Sequence, residues 1–134
     1  MEDRLRQLVR RRAKNRCEYC QMPHDLSWLP FELDHIVARK HQGKTTAANL
    51  ALSCAYDNAH KGSNLAGIDP KTGRLTKLFH PRRHKWQHHF RWNGPVLVGR
   101  TAIGLATIAV LAINDPLRVD QRHVLIDAGL FPPQ

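Results

Sequence analysis

FELDHIVARKHQGKTTAANLALSCAYDNAHKG, residues 31–62, is the stretch whose reading decides the fold. Phe31, Leu33 and Val37 alternate with polar neighbours, a spacing that predicts a strand over residues 31–37. Asp34 and His35 sit side by side near its end. Residues 40–44, with Gly43, read as a loop, and Thr45 and Thr46 are placed to cap a short helical turn. Residues 50–53, LALS, read as a second short strand. Residues 57–61 then start a helix that Gly62 stops. On that helix Asn58 and Lys61 are three apart and share a face. A segment that only had to fold would not need Asp34, His35, Asn49, Cys54, Asp57, Asn58, His60 and Lys61 so close to its Leu and Ile residues.

These residue types point to one chemistry. A carboxylate such as Asp34 is a hard oxygen ligand that suits Mg2+ or Mn2+, and the amide oxygen of Asn58 is a second. Mg2+ keeps several waters, so a site with few protein ligands suffices. An imidazole titrates near neutrality, so His35 can take a proton from an attacking water. The ion would offset charge building on a phosphate, and Lys61 is expected to approach that phosphate. Together this is a set for metal-assisted phosphodiester hydrolysis. Alone, Asp34 would read as a cap or surface carboxylate and His35 as a packed histidine. Their adjacency, with Asn49 and Asn58 downstream, decides otherwise.

Upstream, residues 2–14 read as a helix, with Leu5, Leu8 and Val9 on one face. Arg4, Arg6, Arg10, Arg11, Arg12 and Lys14 cover the rest and are expected to lie along phosphates. Cys17-Glu18-Tyr19-Cys20 is a CxxC, which serves zinc knuckles and redox sites alike. No βαβ pattern surrounds it, so the redox reading loses support. Pro23 and Pro30 bracket a loop carrying Trp28.

Downstream, residues 69–73 form a turn with Pro70 early and Gly73 last. Residues 74–79 and 86–92 look like strands, and Asn93-Gly94 is a hairpin signal joining Phe90 and Trp92 to Val96 and Val98. Arg82, Arg83, His84, Lys85, His88, His89 and Arg91 make a second basic stretch interleaved with Trp86, Phe90 and Trp92. Such a mixture can track a nucleic-acid strand, and equally the aromatics can form the core face of the hairpin. Two helices close the chain. One is capped near Thr101. The other has Asp115 as N-cap, Pro116 at its first position and Gly129 after its end.

The stretch from Cys17 to Asn64 resembles the HNH endonuclease family. The likeness lies in the CxxC, the Asp34-His35-Ile36, Asn49 before a Leu-rich strand, and Cys54-x-x-Asp57-Asn58-x-x-Lys61-Gly62. The resemblance implies an α+β fold with a ββα-metal core over about residues 13–64 and a C-terminal extension over 65–134, in a single domain. It implies a metal ligand at Asp34, a general base at His35, a loop-holding residue at Asn49 that aims the base, and a second metal ligand at Asn58. It also implies hydrolysis of DNA to a 5′-phosphate and a 3′-hydroxyl. The zinc-bearing branch of the family has two CxxC pairs, whereas here the fourth position is Asp57. Carboxylate is an allowed zinc ligand, so Cys17, Cys20, Cys54 and Asp57 are the expected structural site, with His60 and His24 as substitutes for the fourth ligand.

The whole chain fits that reading. It has 134 residues, enough for one modest core, and 21 Lys and Arg against 11 acidic residues give a net charge of +10. Such a surplus favours a polyanionic partner, nucleic acid first and an anionic membrane surface second; the resemblance makes DNA the expected nucleic acid, with RNA left open. The cationic residues assigned to it are Arg4, Arg10, Arg11, Arg12, Lys14, Arg39, Lys40, Lys61, Arg82 and Arg83. The longest apolar run, residues 101–113, is too short to span a bilayer, so no membrane partner is expected. Three cysteines behind a charged N-terminus suggest a reduced, cytoplasmic setting, with the thiols as ligands or buried groups. The rival readings are a zinc-stabilised basic module that holds nucleic acid without cutting it, and a ribosome-associated RNA-binding protein supported by charge alone.

Overall fold

The apolar–polar alternation after Phe31 becomes β1 (Glu32–His35), and LALS becomes β2 (Leu50–Ser53). In this computed structural model, which describes residues 1–133, the two strands pair antiparallel with Asp34 opposite Ala51 and His35 opposite Leu50. β2 is buried along its whole length, which explains its unbroken small and apolar run. Helix α2 (Ala55–Lys61) follows at once and packs back on β1. Its N-cap is Cys54, whose sulfur accepts from the Asp57 N–H, and Gly62 at φ +52° ends it. This is a ββα unit. Helix α1 (Asp3–Arg12) lies against β2 through Val9, with Arg4, Arg6, Arg10 and Arg11 exposed.

The long β1–β2 connection is closed by two devices. Asn49 accepts from Val37 N–H at 2.9 Å and donates to the carbonyls of Val37 and Lys44 at 3.0 and 2.9 Å. Gly43 packs on the same turn, where an added Cβ would meet the Val37 carbonyl oxygen at 1.7 Å, so no other residue fits without moving the backbone.

The extension adds two hairpins and two longer helices. β3 (Ala66–Ile68) pairs with β4 (Leu75–Lys77), and β5 (Phe90–Asn93) pairs with β6 (Val96–Gly99) across a turn made by Gly94 and Pro95, one residue later than the expected Asn93-Gly94, because Asn93 still pairs with Val96. Helix α3 (Trp86–His89) precedes β5, α4 (Ala102–Val110) is capped by Thr101, and α5 (Pro116–Asp127) by Asp115. The strand expected over residues 86–92 therefore begins only at Phe90. Trp86 and Phe90, four apart, both face inward with ring centroids 5.2 Å apart, and that spacing is met by a helical turn. The aromatics belong to the core face. Phe90 is buried, Trp86 Nε1 donates to the Tyr19 carbonyl, and Trp92 Nε1 donates to Gln21 Oε1.

One apolar cluster runs through both parts, from Val9, Tyr19, Leu50 and Leu52 to Phe79, Phe90, Leu97, Leu111, Ile113 and Phe131. Among the described residues, no helix is long and apolar enough to cross a membrane.

Candidate active site and metal centre

Cys17, Cys20, Cys54 and Asp57 converge in the interior. Their ligand atoms all lie within 4.8 Å of one another, and all four residues are buried. Cys20 Sγ and Cys54 Sγ are 3.7 Å apart, and Cys17 Sγ lies 3.2 Å from Asp57 Oδ2. Zinc–thiolate bonds of about 2.3 Å put two sulfurs of a tetrahedron about 3.8 Å apart, so the spacing fits a structural metal. The fold explains the convergence. The loop 17–20 is hydrogen-bonded to β2 through Glu18, whose N–H donates to the Leu52 carbonyl and whose carboxylate accepts from Leu52 N–H. Cys54 and Asp57 sit three apart in the first turn of α2. Asp57 is the fourth member. His60 is exposed with Nδ1 against the Tyr56 carbonyl, and His24 lies beside Asp25, so neither substitutes for it.

The sequence reading missed Arg118. Its Nη2 donates to Asp57 Oδ1 at 2.8 Å, while Asp57 Oδ2 faces the thiols. The same guanidinium donates through Nη1 to the Leu111 and Ala112 carbonyls at the end of α4. Three thiolates and a carboxylate around a divalent ion leave surplus negative charge, and Arg118 offsets part of it. Complete burial pushes the Asp57 carboxyl up to about 7, with the nearby Cys20 thiol adding to the rise and Arg118 opposing it. A divalent ion would reverse that balance, because its charge favours the ionised ligand. The only hint in the sequence is Arg118 and Arg122 at i, i+4 on one helix, both now found buried.

The second group lies at the exit of β1. Asp34, His35 and Asn58 line one shallow open cleft of about 230 Å3, together with Arg39, Gly62 and Ser63. Asp34 is buried and accepts the Tyr19 hydroxyl on Oδ2 at 2.7 Å. Lys61 Nζ lies 3.1 Å from Oδ2 and 3.2 Å from Oδ1. Burial raises the Asp34 pKa, and Lys61 and Tyr19 oppose the rise. A carboxylate has about four acceptor positions, so these donors leave Oδ1 able to bind a cation. His35 Nε2 is 2.8 Å from Thr45 Oγ1. With Thr45 accepting, the imidazole lone pair is on Nδ1. Thr45 was expected to cap a helix; it makes no cap bond and orients the imidazole instead.

Several cationic residues are not where a phosphate contact needs them. Lys61 is 2 % exposed and donates to the carbonyls of His35 and Ile36 besides Asp34, so the expectation that it meets a phosphate gives way to an internal ion pair. Arg12 donates to the carbonyls of Ala47 and Leu50 at 2.9 and 2.8 Å, fastening α1 to the start of β2. Arg82 pairs with Glu18 in a part-buried contact. Arg4, Arg10, Arg11, Lys14, Arg39, Lys40 and Arg83 are exposed.

Residues 17–64, which contain both groups, match the family model described as HNH endonuclease. No curated protein and no solved structure matches the chain.

Proposed function

We propose, on the premise that residues 17–64 are the HNH endonuclease domain their match indicates, that the chain is a metal-dependent endonuclease acting on DNA. The observation that carries the reading is that Asp34, His35 and Asn58 line one cleft while Thr45 occupies the far nitrogen of the imidazole. Asp34 and Asn58 are the residues that would hold Mg2+ or Mn2+, and hard oxygen donors in an open cleft fit such an ion. When bound, the ion supplies positive charge against the charge developing on the phosphate and the departing oxygen. His35 Nδ1 takes the proton of the attacking water. The new bond forms between that water's oxygen and phosphorus, and the bond from phosphorus to O3′ breaks. O3′ leaves with a proton from solvent, giving a 5′-phosphate and a 3′-hydroxyl. Lys61 and Tyr19 hold Asp34 in place and oppose the rise in its pKa, and Asn49 holds the loop that carries Thr45. Zinc at the cysteine cluster would be structural, joining the 17–20 loop to α2.

Nicking of supercoiled plasmid across a panel of divalent ions, with and without EDTA, tests the proposal. Cleavage that needs the ion is expected. His35→Ala should lose about 10^2 to 10^4-fold in rate, the usual worth of a positioned general base, with DNA binding in EDTA unchanged. Tight, salt-sensitive binding with no ion-dependent cutting would instead favour a non-catalytic basic module.

A further inference from the structure

Lys61, whose ammonium donates to the cleft carboxylate Asp34, also lines a second cavity, of about 210 Å3. Its walls are the residues that directly follow the cleft residues in the chain. Ile36 and Val37 come after His35, and Asn64 and Leu65 come after Ser63. Its remaining wall comes from the extension, with Leu78 and Phe79 inside and Lys77, His80, Arg83 and His84 around them. The volume lies below the roughly 300–1,000 Å3 of sites for drug-sized molecules and cofactors. It suits a single ring system.

The polar groups are set as donors. Arg82 N–H donates to His80 Nδ1 at 3.2 Å, and His80 N–H donates to His84 Nδ1 at 2.9 Å. A neutral imidazole that accepts on one nitrogen carries its proton on the other, so both histidines keep an Nε2–H to give. Burial lowers the pKa of each, with Arg83 among the cations that add to the shift, which favours that neutral form. An apolar floor, two imidazole donors, the Asn64 amide and a rim holding Lys77 and Arg83 match a planar ring rich in acceptors attached to a phosphate chain.

We infer that this cavity receives an unstacked nucleobase of the substrate strand, next to the phosphate held in the catalytic cleft. The inference rests on the nuclease reading for the identity of the substrate, and it gives the C-terminal extension a direct part in binding. Taking a base out of its stack favours single-stranded or weakly paired DNA, because less pairing energy is lost there.

The test is fluorescence anisotropy of a labelled single-stranded oligonucleotide in EDTA, where no cleavage occurs, against the same strand carrying abasic positions. Two variants keep the fold out of the comparison. Leu65→Trp fills the mouth from a half-exposed position, and Arg83→Ala removes an exposed cation. Wild type should prefer the strand with bases by about tenfold, the scale of base contacts in single-strand binding sites. Leu65→Trp should lose that preference while still binding the abasic strand. Arg83→Ala should weaken both strands equally. A Leu65→Trp protein that distinguishes the two strands as well as wild type overturns the inference, as does a wild type that does not distinguish them. Plasmid nicking by the same preparations separates the two readings. Ion-dependent nicking without base discrimination removes only the pocket, and base discrimination without nicking removes only the nuclease.

Discussion

Arg118 Nη2 lies 2.8 Å from Asp57 Oδ1, so a helix near the end of the chain is fastened to the fourth member of the cysteine cluster. The pair is buried on both sides. Removing one partner of a buried ion pair leaves an uncompensated charge and costs about 3–5 kcal/mol, whereas removing both can be nearly neutral. Arg118→Met should therefore destabilise by that amount, and Asp57→Asn with Arg118→Met should recover most of it. Urea denaturation measures the stabilities, and metal analysis measures zinc per chain. The comparison is made with zinc removed from every protein, because Asp57→Asn also takes a ligand from the cluster. A single Arg118→Met variant as stable as wild type would show that the contact carries no net energy.

The exposed cations and the internally committed ones should separate in a salt titration. Each phosphate contact contributes about −0.9 to the slope of log K against log salt on duplex DNA. Replacing Arg10, Arg11 and Lys14 together by Ala should flatten the slope by up to about 2.7 with little change in stability, since all three are exposed. Arg12→Ala should do the reverse. It loses hydrogen bonds to the carbonyls of Ala47 and Leu50, a cost of about 1–3 kcal/mol, and leaves the slope alone. A slope change for Arg12→Ala matching that of its neighbours would return it to the binding surface.

The histidines of the extension set the pH response. Burial lowers the pKa of His80, His84 and His89 in the folded state, with neighbouring positive charge adding to each shift. The unfolded chain then binds protons that the folded chain does not, starting near the ordinary histidine value of about 6.5. Stability rises with pH wherever the unfolded state holds more protons. It should therefore be fully present above about pH 7 and fall as the pH drops through 6.5 and below. Urea midpoints between pH 7.5 and 5.5, with zinc saturating, check the sign. His89→Gln, which removes one of the three titrating imidazoles, should reduce the loss. A midpoint that rises on acidification would exclude the mechanism.

The ββα unit was legible because each of its elements carries a local signal. Leu33 alternates with polar neighbours, residues 50–53 form a short apolar run, and Gly62 marks a stop. Asp34, His35 and Asn58 were legible because their chemistry is unusual for a fold-only segment. β3 was not, since Ala66, Gly67 and Ile68 have no alternation to read. Gly67 is there for close packing, where a Cβ would meet the Val110 side chain at 2.3 Å. The internal duties of Arg12, Lys61, Arg82 and Arg118 were hidden for a common reason. A cation's sequence neighbours do not reveal a partner that tertiary packing supplies, and Arg118 meets Asp57 from 61 positions away.

Tyr19 is where the two groups of the site meet. It lies between Cys17 and Cys20, and its hydroxyl donates to Asp34 Oδ2 at 2.7 Å. A metal that fixes the cysteines therefore also fixes the phenol that orients the carboxylate. Partners of this kind typically change metal affinity by about 10–100-fold when removed. Tyr19→Phe keeps the ring and its packing against Phe79 but takes the donor from Asp34. Burial already raises the Asp34 pKa, losing an opposing hydrogen bond raises it further, and the carboxylate loses the donor that fixes its Oδ2. Calorimetric titration with Mn2+ should show weaker binding by at least about tenfold at unchanged zinc content. Nicking should need correspondingly more Mg2+, with the rate at saturating ion close to that of wild type. Unchanged Mn2+ affinity in Tyr19→Phe would show that the cysteine loop does not act on the catalytic carboxylate.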